Sequence, residues 1–194
     1  ENPSEEVQLA AVSENGYTLK HIANPSENVQ LAAVKSVPHV IEKIEDPSKE
    51  VQLVAVNKSG YMLRFIKNPS YDVQLAAVRR NGRAIEYIKN PSEELQLEAI
   101  QGDCFALLYI KNPSENVMMT AVRNGCSLRY FDNPSIALQL AAVEHNPEEI
   151  YYIKNPSEEV QLAAVRKNPT VMGHIANLSE DVKLAALMTM EYFQ

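Results

Sequence analysis

Residues whose side chains could do bond-making chemistry are few and scattered in this chain. His21, His39, His145 and His174 share no metal-ligand spacing. Cys104 and Cys126 lie too far apart for a C-x-x-C pair, and two cysteines make no disulfide framework. A Ser recurs in Asn-Pro-Ser triplets, often before Glu, as in "NPSEEV" and "NPSENV". Such a Ser could serve as an acidic kinase site. It falls in the first turn of an expected helix, however, where carboxylates favour the positive end of the helix dipole. There is no Gly-rich phosphate loop, G-x-S-x-G or H-E-x-x-H motif. No catalytic, cofactor or metal residues are expected, and the chain is read as a non-enzyme.

The chemistry that remains is recognition. Tyr61, Arg64, Phe65, Arg83, Tyr87, Phe105, Tyr109, Arg129, Tyr130, Tyr151 and Tyr152 fall at three variable positions of an otherwise constant pattern. Tyr and Arg are enriched at interface hot spots, and an aromatic surface commonly marks a binding face. The competing expectation is that the rings pack laterally on their neighbours as extra core.

These residues are placed by a tandem repeat. Close copies of "NPSENVQLAAV" start near residues 1, 24, 46, 68, 90, 112, 133, 155 and 177. The period is 22, shortened by one residue in the unit from Asn112. Each unit reads as two helices. Asn24 is the expected N-cap, Pro25 the first helical residue and Glu27 the closing member of a capping box. Val7, Gln8, Leu9, Ala11 and Val12 sweep more than half of the first helix, so that helix should be sandwiched. Ala11 is matched by Ala in every copy, which predicts close helix approach. Gln8 and its equivalents are expected to bond backbone or one another. Asn15-Gly16, Ser59-Gly60 and Asn81-Gly82 should end the first helix with a left-handed Gly. A shorter second helix such as "YTLKHI" then buries Leu19 and Ile22 and points Tyr17, Lys20 and His21 outward.

A capped helix, a small-residue "LAAV" core, a tight break and a second short helix resemble the armadillo/HEAT class. The short period is closer to variant leucine-rich repeats. "LAAVSENGYTLKHI" and "LAAVRRNGRAIEYI" are also similar to uncharacterised tandem repeats of viral and bacterial proteins. The resemblance implies an all-α fold, a right-handed-type α-solenoid of about nine bihelical 22-residue repeats in a single repeat domain over residues 1–194. It also implies partner binding, and no family catalytic residue carries over.

The formal charge of −7 disfavours nonspecific binding to nucleic acid or anionic membrane. No apolar run approaches the ~20 residues of a membrane span, and no signal peptide opens the chain. Stacked neighbouring repeats would hold Cys104 and Cys126 beyond disulfide reach, so thiols in a cytoplasmic, reducing compartment are expected. The functional expectation is a non-catalytic scaffold that binds a protein or peptide through the Tyr/Arg positions. One version is a viral or phage inhibitor of a host protein. Two alternatives stand beside it: a single-stranded nucleic-acid binder, and a structural repeat domain of a larger chain, the latter suggested by a first residue that is Glu rather than Met.

Overall fold

The computed structural model describes residues 3–192, and these are helical with no strand among them. The chain divides into two compact units, Glu1–Pro113 and Ser114–Gln194. In the first, α-helices α1 (Glu5–Glu14), α2 (Glu27–Ser36), α3 (Lys49–Lys58), α4 (Tyr71–Arg80) and α5 (Glu93–Gly102) alternate with 3-10 helices. The latter are η1 (Gly16–His21), η2 (Pro38–Lys43), η3 (Gly60–Phe65), η4 (Gly82–Tyr87) and η5 (Cys104–Tyr109). The second unit continues the alternation with α6 (Glu115–Arg123), η6 (Leu128–Tyr130), α7 (Ile136–His145), η7 (Pro147–Tyr152), α8 (Glu158–Lys167), η8 (Pro169–His174) and α9 (Glu180–Tyr192).

Each α-helix starts two residues later than the sequence suggests. Asn24, Asn68, Asn90, Asn112, Asn133, Asn155 and Asn177 are not N-caps but left-handed residues, with φ between 50° and 58°. Asn tolerates that region better than most side chains. The N-cap is the Ser of each triplet. Ser26 Oγ accepts from the Val29 N–H at 3.4 Å, and Ser48, Ser92, Ser135 and Ser157 repeat the bond. That bond diverts the N–H that would otherwise reach the Pro25 carbonyl. The Gln30 Nε2 donates to Pro25 O instead, at 3.0 Å. Gln8, Gln52, Gln74, Gln96, Gln139 and Gln161 do the same within their own repeats, at 2.7–3.0 Å. The Gln row is therefore a set of turn clasps.

The second element is a 3-10 helix, not an α-helix. Thr18 N–H donates to Asn15 O and Ile22 N–H to Leu19 O, three residues back each time. Three residues per turn puts i and i+3 on one line, so Gly16 and Leu19 bury together and Ile22 follows half-buried. Six residues of 3-10 helix span more length than six of α-helix, which fits a 22-residue repeat whose longer arm has only ten helical residues.

The glycines that open η1, η3 and η4 do not adopt left-handed backbone. A Cβ on Gly16 would lie 2.6 Å from the Ala33 carbonyl oxygen of the next repeat, and one on Gly60 would lie 2.3 Å from that of Ala77. These glycines allow close backbone approach between repeats. Left-handed Gly termination occurs at Gly125 alone among the described glycines, with φ 83°. There Cys126 N–H donates to Ala121 O and Gly125 N–H to Val122 O, a Schellman ending. This is the repeat that lost a residue, and α6 is one residue shorter with η6 reduced to three.

The core of each repeat is narrow. Val29, Ala33 and Val34 of α2 are wholly buried, and so are Val51, Ala55 and Val56 of α3 and Val73, Ala77 and Val78 of α4. Burying one such Val fully is worth on the order of 1.5–3 kcal/mol. Ile41, Leu63 and Ile85 close the core from the 3-10 side. In the second unit Leu138, Ala142, Val143, Val160, Ala164 and Val165 repeat the pattern with Ile150 and Val171. The Leu of each "QLAAV" is only half-buried, so the arc predicted around Leu9 is narrower than its apolar residues suggest.

A contrast of glycines tests the close-approach reading. Gly60→Ala should destabilise by about 1–3 kcal/mol, because backbone rather than a flexible side chain blocks the new Cβ. Gly173→Ala, with nothing within 4 Å of its Cβ, should be neutral or slightly stabilising. Urea melts of the two variants check this, and equal shifts would refute the constraint.

Candidate interaction surface

The outward positions of the 3-10 helices are set by the same three-residue turn. With Gly16 and Leu19 inward and Thr18 half-covered, Tyr17, Lys20 and His21 remain exposed. In η3 to η5 of the first unit these positions carry Tyr61, Arg64 and Phe65, then Arg83, Glu86 and Tyr87, then Phe105, Leu108 and Tyr109. Tyr61, Tyr87, Phe105 and Tyr109 are 36–40% exposed and Leu108 is 55% exposed. Phe65 and Arg83 are half-buried. In the second unit Tyr151, Tyr152 and Arg129 are exposed and Tyr130 is half-buried. Cys126, which occupies the equivalent of the Tyr17 position, is buried. The deleted residue moves it under the Schellman turn.

Several of these side chains engage each other. The Arg64 guanidinium lies 4.5 Å from the centre of the Phe65 ring, whose edge meets His39 from η2 at 4.7 Å. The Arg83 guanidinium sits 5.5 Å from the Phe105 ring centre and donates from Nε to Asp103 Oδ2 at 2.6 Å. In the second unit Arg129 stacks on Tyr130 at 4.5 Å and donates to its hydroxyl, while Tyr151 packs on His174 at 4.6 Å. Lateral packing and exposure thus coexist in the same rings. Tyr87 and Tyr109 flank a cleft of about 500 Å³, lined also by Glu86, Lys89, Lys111 and Gln96. These lysines come from the recurring "IKNPS" junction, a signal present in the sequence but not singled out there.

The basic cluster Arg79–Arg80–Arg83 is largely spent on structure. Arg79 donates from Nε and Nη2 to the two carboxylate oxygens of Glu98, at 3.1 and 2.8 Å. This paired geometry holds the Glu98 carboxyl below its usual range, against a smaller opposing effect of burial. Hydrogen bonds from Arg79 to Glu98 and from Arg83 to Asp103 push both guanidinium groups further toward the charged form. Arg129 is held charged in the same way by Tyr130, and the Tyr71 phenol is pushed up by its hydrogen bond to Glu94. Arg80 Nε reaches the Lys58 carbonyl at 3.4 Å.

A polar latch joins neighbouring helix starts. Ser26 Oγ donates to Glu5 Oε1 at 2.5 Å, and Ser48 donates likewise to Glu27. Ser135 with Glu115 and Ser179 with Glu158 repeat it in the second unit. In α3 Lys49 stands at the latch position and pairs with Asp72 instead. Glu5, Glu27, Glu115 and Glu158 therefore serve the next repeat's cap as well as their own helix dipole.

No family of known proteins, no curated protein and no solved structure matches this chain. Among the described residues no cluster of three His, Cys, Asp or Glu could hold a metal, and no helix is long and apolar enough to cross a membrane.

The Arg79–Glu98 pair predicts a pH-dependent contribution to stability. A depressed carboxyl pKa stabilises the fold above the unfolded value of about 4.3, and the contribution is lost as pH falls through the lower folded value. Wild type should melt higher than Glu98→Gln at pH 7, and the difference should shrink below about pH 4 and in high salt. A difference that stays constant with pH would show that the pair does not act through charge.

Proposed function

We propose that the protein is a non-catalytic interaction scaffold, an α-solenoid of about nine repeats that binds a protein or peptide through the outward face of its 3-10 helices. The superhelix is taken as right-handed. The observation that carries this reading is the run of η3 to η5, where a constant buried framework presents Tyr61, Tyr87, Phe105, Leu108 and Tyr109 more than a third exposed. Large apolar side chains in that number at one variable set of positions add little to the core they leave uncovered. They supply aromatic area to a partner with few rotatable bonds to immobilise. The arginines contribute orientation: Arg64 already lies against an aromatic face, and Arg83 is fixed by Asp103. Partner residues are thus proposed to meet Tyr87 and Tyr109 first, with acidic groups directed toward Lys89 and Lys111.

A second reading, single-stranded nucleic acid, draws on the same cleft, where two tyrosines stand beside two lysines. The net charge of −7 and the commitment of Arg79 and Arg83 to carboxylates favour the protein partner.

The test pairs binding with folding. Immobilised wild type and a Tyr87→Ala/Tyr109→Ala variant are challenged with lysate of the source cells, and the affinity of each captured protein is measured. A true partner should bind the variant about 30-fold or more weakly, corresponding to roughly 2 kcal/mol. Melting should change far less than for Ile85→Ala, where about 2–5 kcal/mol is expected from a buried side chain. Should the tyrosine variant unfold as readily as Ile85→Ala, the rings are core and the reading fails. Binding of a labelled oligonucleotide that weakens steeply with salt would select the second reading.

A further inference from the structure

Three consecutive repeats of the first unit close their 3-10 helices in the same way. Phe65-Ile66-Lys67, Tyr87-Ile88-Lys89 and Tyr109-Ile110-Lys111 follow one another at the 22-residue period, each with a buried Ile and an exposed Lys. The two preceding repeats have Ala23 and Glu45 where these have Lys. Because η3 packs on η4 and η4 on η5, the repetition sets out one Lys per repeat, each two residues after an aromatic side chain. The cleft between η4 and η5 shows the arrangement directly, since Lys89, Lys111, Tyr87 and Tyr109 all line it.

The positive charge along this row is available. Arg79 and Arg83 are tied to carboxylates, whereas Lys67, Lys89 and Lys111 form no ion pair among the described residues. Glu86 is the one acid among the residues lining the cleft of Lys89 and Lys111. The equivalent cleft between η1 and η2 is balanced instead, with Lys20 and Lys43 against Glu45 and Asp46. An acidic chain thus holds a local excess of positive charge beside exposed rings, which is complementary to a partner rich in carboxylates.

The spacing selects a conformation for that partner. Packed helices lie about 8–10 Å apart. In a β-strand, residues on one face recur every ~6.6 Å, and every second one of these at ~13 Å, so neither keeps step with the repeats. A polyproline II helix has three residues per turn and a rise of about 3.1 Å, which puts residues i and i+3 on one side roughly 9.3 Å apart. We propose that the row binds a polyproline II segment of a partner protein with Asp or Glu at every third residue. One carboxylate meets each of Lys67, Lys89 and Lys111, and intervening prolines lie against the Tyr87 and Tyr109 rings, the kind of surface on which proline-rich segments dock. This rests on the scaffold reading above and names the chemistry of the partner.

Fluorescence anisotropy with two labelled peptides of identical composition tests this. Glu-Pro-Pro-Glu-Pro-Pro-Glu spaces its acids by three, and Pro-Glu-Pro-Glu-Pro-Glu-Pro spaces them by two. Wild type should bind the first about tenfold or more tightly than the second, and the preference should fade in high salt. A variant carrying Lys67→Glu, Lys89→Glu and Lys111→Glu should bind the first peptide about tenfold or more weakly than wild type. All three lysines are exposed, so its melt should match wild type. Equal affinity for the two peptides, no binding of either at millimolar concentration, or an unaffected lysine variant would each overturn the proposal. A lysate protein lost with Tyr87→Ala/Tyr109→Ala but retained by the lysine variant would keep the scaffold reading and overturn the acidic segment. A labelled oligonucleotide bound more tightly than either peptide, and released by the lysine variant, would overturn it in favour of nucleic acid.

Discussion

The structure depends on how the chain leaves each 3-10 helix and enters the next α-helix. Asn at positive φ turns the backbone, Pro fixes the following dihedral, and Ser caps the helix by taking the Val N–H onto its hydroxyl. That leaves the Pro carbonyl beside the helix start without its helical donor. A buried or half-buried carbonyl left unbonded costs about 1–3 kcal/mol, and the Gln amide removes that cost. The turn fixes where α begins, and with it which valines face the preceding and following helices. Met118 and Lys183 replace the clasping Gln in α6 and α9, so the turn also forms without it. The clasp is a stabiliser added to a turn that Asn and Pro already direct.

A second constraint acts between repeats. Gly16, Gly60 and Gly82 stand against the carbonyl oxygens of Ala33, Ala77 and Ala99, so backbone meets backbone where most helical proteins place side chains. Beside these contacts the α-helices bury chiefly Val and Ala, and the larger Ile41, Leu63 and Ile85 come from the 3-10 helices. The 3-10 helix suits this thin layer, because its three-residue period lines Gly and Leu on one edge. Neither element would persist alone, since a ten-residue α-helix and a six-residue 3-10 helix are both below the length that is stable in water. Stability is therefore shared between neighbours.

With the inward edge fixed, the outward positions are released from packing demands and differ from copy to copy. The contacts among them are still not independent of the framework. Asp103, an N-cap whose carboxylate accepts from Phe105 N–H through Oδ1, also anchors Arg83 through Oδ2. Glu98 draws Arg79 along the α-helical side rather than leaving it to a ligand. Local ion pairs thus tie Arg79 and Arg83 to carboxylates, while Tyr61, Tyr87, Phe105 and Tyr109 stay more than a third exposed.

The sequence by itself determined the repeat, the all-helical class, the break between the two arms and the outward placement of Tyr61, Tyr87 and Tyr109. These follow from periodicity, and a pattern written so many times averages out the ambiguity of any one copy. It did not reveal that Asn adopts left-handed geometry while Ser caps, because Asn, Ser and Pro each suit both adjacent positions. It also assigned left-handed backbone to Gly16 and Gly60, since Gly signals special dihedrals and close approach with the same letter. Only the tertiary structure separated these cases, by placing the Ala33 and Ala77 carbonyls where a Cβ would have to be. The 3-10 geometry was undecided for a similar reason: apolar residues at Leu19 and Ile22, three apart, fit either helix. The packed repeats decide for the 3-10 form, whose three-residue turn puts Gly16 and Leu19 on one buried edge, with Gly16 against the Ala33 carbonyl of the next repeat.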